Sequence, residues 1–330
     1  MTASWTNSFD ASDTAVNTEI GEVTSADGTR VATYAAGPPG RPVLVLANGL
    51  GGNVTAWRHF LRHFATDYRV ITWDYRGLYR SSPPPVPTGA AFTIERHCDD
   101  LDAVCDAEDI RRAVFVGWSM GVQVHLEYYR RRADRFAGMV LINGTYGRPF
   151  ETAFRAAWMR TAGPRFLDIL PYLAPLMNRA EPLVTRTRLF VAFAKAVGLT
   201  SPTLDEEVFF DLAKDWLNLD FGAYSAIFKG LAAHDAHDVL KTIRVPVLVV
   251  TGEKDLFTPM ELSSRIVSEV PGAEFLAIEG GTHYTPIEYP MIVNLRVQRF
   301  LQERVRFDPT PPATSGSRGA RRPRGRRGSK

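Results

Sequence analysis

The sequence predicts an α/β protein: a mostly parallel central sheet with helices on both faces and an inserted helical lid. Apolar runs and amphipathic segments alternate from residue 43 to residue 142, an order that produces right-handed crossovers and parallel strands. The apolar runs are continuous, as is typical of strands buried on both faces. The alternation stops at Tyr146 and resumes after Leu240, so an insertion interrupts a single sheet.

The first predicted elements are two antiparallel strands within Glu19–Ala36. They are joined at Asp27-Gly28, a dipeptide that favours a tight hairpin turn. Val43–Ala47 is the first strand predicted to be buried on both faces. The pattern of apolar residues then predicts a helix at 54–66, a strand at 69–74, a helix at 93–108, a strand at 113–118, a helix at 120–132 and a strand at 137–142.

The stretch 146–240 has apolar residues at helical spacing, broken by six prolines, and contains no strand-like run. This pattern predicts several short helices, which we interpret as a lid. Beyond it we expect a strand at 245–251, a helix at 259–269, a strand at 274–278 and a final helix at 290–305. The predicted division is a flexible N-terminus 1–18, a core of 19–145 and 241–306, the lid 146–240 and a disordered basic tail 307–330.

The net charge of +3 depends on the C-terminal tail. Residues from Pro311 onward include seven basic residues and no acidic one, which leaves 32 basic and 36 acidic residues in the rest of the chain. The predicted folded part is therefore slightly acidic, unlike a nucleic-acid-binding domain. Arginine-rich tails bind nucleic acid or anionic surfaces electrostatically, but this tail lacks aromatic residues for base stacking. A solvated accessory tail is the favoured interpretation.

The two cysteines favour a reducing compartment. Cys98 and Cys105 lie seven residues apart in a predicted helix, about 10 Å along its axis and too far for a disulfide. Free thiols are typical of intracellular proteins. Met1–Val16 has no signal-peptide pattern, and no window approaches 18 consecutive apolar residues. The sequence therefore predicts a cytoplasmic protein without a membrane span.

A candidate nucleophile lies directly after the predicted strand at 113–118. Gly117-Trp118-Ser119-Met120-Gly121 has the Gly-x-Ser-x-Gly pattern of a nucleophile elbow, a sharp strand-to-helix turn that exposes the serine. The glycines allow the strand and the helix to approach closely. The pattern is common by chance, and a serine that only caps the helix is the alternative.

Two later motifs follow other predicted strands. Asp255 ends Thr251-Gly252-Glu253-Lys254-Asp255, and His283 ends Gly280-Gly281-Thr282-His283. Open parallel sheets place active sites at the carboxyl ends of their strands. Asp255 as a turn former, Glu253 as a rival acid and His283 as a helix cap are the alternatives.

With serine, aspartate and histidine in this order, residues 20 to 305 resemble the α/β-hydrolase family of serine hydrolases. The resemblance implies that Ser119 attacks the substrate, that His283 accepts and returns the proton, and that Asp255 orients the imidazole.

The resemblance also implies an oxyanion hole made of two backbone N–H groups. One belongs to Met120, next to the nucleophile, and the other to Leu50 in the glycine-rich turn Asn48-Gly49-Leu50-Gly51-Gly52. Asn48, Gly49 and Trp118 are expected to support these loops. An ordinary glycine turn between strand and helix is the alternative.

The sequence departs from the family pattern at three places. Asn48 replaces a common histidine, and Val122 stands where many relatives have a second glycine after the elbow. Asp74-Tyr75-Arg76-Gly77 resembles the turn that the family has after the strand predicted here at 69–74. Leu78-Tyr79-Arg80-Ser81 follows it without the usual glycine. We expect this turn to be scaffolding near the site.

No metal site or cofactor is predicted. His59 with His63, and His234 with His237, have spacings that two metal ligands use, but no third ligand completes a set beside the first pair. Solvated helix faces are the favoured interpretation for both pairs. The sequence also lacks phosphate-binding and dinucleotide-binding glycine motifs.

The expected function is cleavage of a carboxylic ester, a lactone or a thioester through an acyl-enzyme on Ser119. Serine rather than aspartate as nucleophile disfavours epoxide opening and halide displacement. The aromatic-rich lid favours a small hydrophobic substrate. Acyl transfer to an acceptor other than water, peroxide included, uses the same residues and stays open, as does a non-catalytic ligand-binding protein of the same fold.

Overall fold

The computed structural model describes residues 16–152 and 189–307 and, between them, 162–163, 165–173, 175 and 179. Eight of its strands form one sheet in the order β1-β2-β4-β3-β5-β6-β7-β8. The first two pairings, β1 with β2 and β2 with β4, are antiparallel, and all later ones are parallel. The predicted mostly parallel sheet is therefore confirmed. The strands are β1 Thr18–Thr24, β2 Arg30–Ala36, β3 Val43–Ala47, β4 Arg69–Trp73, β5 Ala113–Trp118, β6 Phe136–Ile142, β7 Val247–Gly252 and β8 Glu274–Ile278.

Helices occupy most of the connections, as predicted. The segment 54–66 is divided: Asn53 caps a 3₁₀ turn at Val54–Trp57, and the α-helix begins only at Arg58. The described α-helices are α1 Arg58–Phe64, α2 Ile94–Ala107, α3 Met120–Arg132, α4 Pro149–Thr152, α5 Leu189–Ala196, α6 Glu206–Leu217, α7 Phe221–Ala233, α8 Met260–Glu269, α9 Thr285–Glu288 and α10 Pro290–Arg304.

The sheet separates two apolar layers. In β5, Ala113 and Phe115 face the layer that contains buried residues of α2, α3 and α8. Val114 and Val116 face the opposite layer, with residues of α1 and α10. Successive side chains of a strand point to opposite faces, so covering both faces requires an uninterrupted apolar run. This is why the central strands are recognisable in the sequence as short blocks of valine, leucine and phenylalanine.

The helical insertion leaves and rejoins the sheet at nearly the same point. Gly147 forms an isolated bridge with Asp235, and the Ala236 N–H donates to the Tyr146 carbonyl over 2.8 Å. Between these ends the structure describes α4 to α7 and helical residues at 165–173. Asp205 and Asp220 cap α6 and α7 through their carboxylates. Phe154 and Trp158, two aromatic residues of the predicted lid, lie outside the described residues, as do 1–15 and 308–330 of the predicted flexible ends.

The two cysteines lie on α2, where both are buried and free thiols. No helix in the described part of the chain is both long and apolar enough to cross a bilayer.

The prediction that the paired histidines lie on solvated helix faces is wrong for His234. This residue is buried, and its ring nitrogens contact the side chains of Gln123 at 2.8 Å and Glu127 at 3.3 Å. Both partners belong to α3, more than 100 positions earlier, so the local pattern carries no sign of them. His59 instead pairs with Asp205 at the start of α6.

Two other histidines, His97 on α2 and His125 on α3, are fully buried. Their ring nitrogens have no hydrogen-bond partner among the described residues. Burial, joined at His97 by the charge of Arg76, lowers the pKa of each to about 3 from an ordinary 6.5. Both imidazoles are therefore neutral in the folded protein over the physiological range.

We expect the free energy of unfolding to fall as the pH decreases from 6.5 towards 3, because the unfolded chain then binds protons that the folded state excludes. Between pH 7 and pH 5 each histidine contributes a loss of about 2 kcal/mol. Urea unfolding of the parent and of His125→Leu at both values tests this: the difference between the two proteins should shift by that amount in favour of the variant. Val124→Ala, which removes no titratable group, should give a constant offset. A constant offset for His125→Leu as well would contradict the prediction.

Candidate active site

Ser119 occupies a strained turn between β5 and α3. Its φ is 56° and its ψ is −114°, backbone angles that residues other than glycine rarely adopt. A Cβ on Gly117 would lie 2.6 Å from the Gly121 backbone, and one on Gly121 would lie 2.2 Å from the Ala47 carbonyl oxygen. The two glycines of the motif therefore permit the close contact predicted from the sequence. The Ser119 side chain makes no capping bond to α3, which removes the helix-cap alternative.

A glycine on a neighbouring element accommodates Val122, the departure from the family pattern after the elbow. A Cβ on Gly144 would lie 2.2 Å from Val122 Cγ2. Gly144 follows β6, so the valine side chain fills space that this glycine leaves open. The close approach is retained, with the small residue on the other side of the contact.

The three predicted residues form a continuous hydrogen-bonded chain. His283 Nε2 lies 2.8 Å from Ser119 Oγ, and His283 Nδ1 lies 2.8 Å from Asp255 Oδ2. Because an ionised carboxylate only accepts hydrogen bonds, the proton is assigned to Nδ1, and Nε2 is left to accept from the serine hydroxyl. Glu253, the rival acid, is exposed and accepts instead from the Gly280 N–H.

The Asp255 carboxylate is buried but well satisfied. Oδ1 accepts from the N–H groups of Phe257 and Thr258, both at 2.8 Å. Besides His283, Oδ2 accepts from Thr258 Oγ1 at 2.7 Å and from Asn143 Nδ2 at 2.8 Å. Burial by itself would raise the pKa of Asp255, but the charge and hydrogen bond of His283 and the bonds from Thr258 outweigh it and lower that pKa. The group is therefore a fixed negative charge beside the imidazole.

The loop that carries His283 is held by Trp118, one of the predicted supporting residues, and by Glu288, which the sequence analysis did not single out. Trp118 Nε1 donates to the His283 carbonyl at 2.9 Å. The buried Glu288 carboxylate accepts from the N–H of Thr282 at 2.8 Å, from its hydroxyl at 2.6 Å, and from the Ser201 N–H of the insertion at 2.6 Å. The sequence shows an acidic residue five positions after the histidine. That its side chain points back towards Thr282 depends on the turn into α9, which the local sequence does not specify.

The turn 48–52 lies against the serine. A Cβ on Gly49 would be 3.3 Å from Ser119 Cβ, so this glycine leaves room at the nucleophile. Asn48 braces the turn through neighbouring elements: Nδ2 donates to the Trp73 carbonyl at 2.8 Å, and Oδ1 accepts from Trp57 Nε1 at 2.6 Å. The Tyr75 hydroxyl donates to the Asn48 carbonyl at 2.7 Å, which agrees with the scaffolding expected of the turn at 74–77.

Leu50 and Met120, the expected oxyanion donors, flank the serine on two separate elements. Met120 is the first residue of α3, and the N–H groups of a helix's first turn have no acceptor within the helix. Leu50 directly follows Gly49 and is half-buried. Their action on a substrate oxygen stays a prediction.

Helices of the insertion contact both loops around Ser119. A Cβ on Gly51 would lie 2.8 Å from the Trp216 ring and 2.9 Å from the Tyr224 ring, so α6 and α7 pack on the turn. Phe209 of α6 makes an edge contact, at 5.1 Å between ring centroids, with Tyr284 beside the histidine. Among the residues placed by the structure, no cluster of three or more histidine, cysteine or acidic side chains suits a metal ion.

Comparisons with known proteins agree with this architecture. A family model described as α/β hydrolase fold matches residues 42–170, and a second, described as TAP-like protein, matches 230–310. RutD of Rhizobium rhizogenes, provisionally named a carbamate hydrolase, is 27% identical over 271 residues, covering 81% of this chain and 95% of RutD. The 3-oxoadipate enol-lactonase 2 of Acinetobacter baylyi is 26% identical over 269 residues, covering 81% and 91%.

Solved structures show the same likeness. The crystal structure of the enol-lactonase from Burkholderia xenovorans superposes with a TM-score of 0.65 at 25% identity, covering 85% of this chain and all of that one. The regions that the two family models match include β3 to β6 before the insertion and β7 to α10 after it. The chain belongs to the α/β-hydrolase fold family and is a hydrolase of that family.

Proposed function

We propose that the protein cleaves a carboxylic ester, a lactone or a thioester through an acyl-enzyme on Ser119. The observation that carries this proposal is the chain from Ser119 Oγ to His283 Nε2 and from His283 Nδ1 to Asp255, with 2.8 Å at each step. A serine hydroxyl is a weak nucleophile, and a base within hydrogen-bond distance that is itself oriented by a third group activates it.

In the proposed reaction the serine oxygen attacks the substrate carbonyl while its proton moves to His283 Nε2. The imidazolium is stabilised by Asp255, whose pKa is lowered in this environment. Collapse of the tetrahedral intermediate passes the proton to the leaving group. Water then attacks the acyl-enzyme by the same route, which releases the acid and restores the serine.

The N–H groups of Leu50 and Met120 are the proposed donors to the oxyanion. The contact of Gly49 with Ser119 supports this assignment, because it brings the turn 48–52 beside the nucleophile. Each such donor contributes on the order of 10²- to 10³-fold in rate. The Asn48 side chain is engaged by Trp57 and Trp73, so we assign it to holding the turn.

The insertion is proposed to act as a lid that favours a small hydrophobic substrate. Its support is the packing of Trp216 and Tyr224 on Gly51 and of Phe209 on Tyr284, which puts aromatic side chains on the two loops that adjoin Ser119 and His283. Apolar walls with a few polar groups are typical of small-molecule sites. Two of the relatives are named as lactonases, and a lactone is a cyclic ester.

The test is to trap the covalent intermediate. We expect p-nitrophenyl esters of increasing acyl length to give a burst of p-nitrophenol, and a fluorophosphonate probe to label the peptide that contains Ser119. Labelling of a lysine or tyrosine in place of Ser119, or turnover that persists after complete labelling, would overturn the proposal. A p-nitrophenyl carbamate assayed in parallel separates ester cleavage from the activity for which RutD is named.

A further inference from the structure

Asn143 lies at the carboxyl end of β6, between the loops that carry Asp255 and His283. Its side chain is fully buried. Nδ2 donates to Asp255 Oδ2 at 2.8 Å and to the Thr282 carbonyl at 3.1 Å. Oδ1 accepts from the Thr285 hydroxyl. A single amide thus bonds to the acid, to the residue before the histidine and to the helix after it.

These partners determine how the amide is oriented. The Asp255 carboxylate and the Thr282 carbonyl only accept hydrogen bonds, so both must face the NH₂ group. The Thr285 hydroxyl donates to the remaining oxygen, so a flipped amide would place acceptor against acceptor at two contacts. The geometry requires a side chain that donates twice on one edge and accepts on the other.

The backbone of Asn143 suggests a simpler reason for asparagine at this position. Its φ is 44°, in the left-handed region that asparagine tolerates better than most residues. On that reading the amide contacts are incidental, and glycine would serve equally well. The two explanations differ in what they predict for glycine, which keeps the backbone and removes the amide.

We propose that Asn143 is a positioning residue for catalysis: its amide fixes Asp255 Oδ2 and the histidine loop relative to each other. The inference rests on the proposed function and extends it to the carboxyl end of β6. Without the amide, Asp255 loses a donor to the oxygen that faces His283, and Thr282 loses its tie to β6. The imidazole then samples orientations in which Nε2 is displaced from the serine hydroxyl.

The experiment compares Asn143→Gly and Asn143→Asp with the parent. We expect both to lower kcat for a p-nitrophenyl ester by about 10- to 100-fold, the range for partners that orient a ligating or reacting group, with KM within about twofold. In Asn143→Asp the new carboxyl faces two acceptors, the Asp255 carboxylate and the Thr282 carbonyl, so it is protonated and donates to only one of them; this variant should lose less kcat than Asn143→Gly. Asn294→Ala, which removes a buried amide that donates to the His59 carbonyl, is the control and should retain parental kcat.

The outcomes separate this inference from the proposed function. Parental kcat in a folded Asn143→Gly would show that only the left-handed backbone matters and would overturn the positioning role. A KM that rises in Asn143→Gly as much as kcat falls would do the same, because it would place the loss in substrate binding and not in the orientation of His283. If Ser119→Ala keeps its turnover, the proposed function fails first, whatever the Asn143 variants do. Circular dichroism melts confirm that the compared proteins are folded.

Discussion

Replacing Ser119 with alanine is expected to lower kcat for p-nitrophenyl ester hydrolysis by at least about 10³-fold. The change removes the only atom that bonds to His283 Nε2 in the hydrogen-bonded chain, so the imidazole has no hydroxyl to deprotonate. KM should change little, because the walls of the site are intact. The strained backbone at φ 56° remains, so we expect no gain in catalysis from relaxation of the turn.

The matched control for this change is Ser263→Ala. Ser263 lies on α8, is 1% exposed, and its hydroxyl has no hydrogen-bond partner in the part of the chain that the structure describes. Removing an unpaired buried hydroxyl has little energetic cost, and parental turnover is expected. If Ser119→Ala hydrolyses the ester at the parental rate while the control behaves as expected, another residue is the nucleophile.

Replacing Asp255 with asparagine is expected to lower kcat by up to about 10⁴-fold through the wrong imidazole tautomer. The surroundings determine how the new amide lies. The Oδ1 position faces two backbone N–H groups, of Phe257 and Thr258, and only the amide oxygen suits it. The NH₂ group therefore takes the Oδ2 position and donates to His283 Nδ1. The ring proton moves to Nε2, which can no longer accept from Ser119.

The control for Asp255→Asn is Glu253→Gln, which neutralises the exposed rival acid. Its carboxylate contacts the Gly280 N–H, and kcat should stay within about twofold of the parent. Steady-state kinetics of both variants, with thermal melts to confirm folding, checks the assignment. A larger loss in Glu253→Gln than in Asp255→Asn would reverse the roles of the two acids.

The fold was predictable from the sequence where burial alone determines the pattern. The bounds of β3 and β5 agree with the predicted strands, because strands covered on both faces are short apolar blocks. Those of β8 agree as well, although this strand at the edge of the sheet has one buried residue, Ile278. The start of β7 differs by two residues, at Val247 rather than 245. Pro246, the residue just before β7, has no N–H to donate to a neighbouring strand. Its carbonyl still accepts from the Met139 N–H of β6.

The site was predictable to the extent that each residue follows its own strand. Ser119, Asp255 and His283 are each preceded by an apolar run, so local sequence indicates the sheet edge where they meet. Asn143 also follows a strand, but its value lies in contacts with residues 112 and 139 positions later. Such contacts depend on the pairing of β6 with β7, which a single sequence does not specify.

The exchange of volume between Val122 and Gly144 limits how the elbow can be redesigned. Restoring the commoner glycine at 122 would leave a void between α3 and the loop that carries Gly144. The helix would then lose packing just behind the strained serine. Adding a methyl group at 144 alone would force the valine into that turn. Sites 122 and 144 thus behave as one unit in mutagenesis: a productive library varies the two together, and single-position scans would wrongly classify both as intolerant.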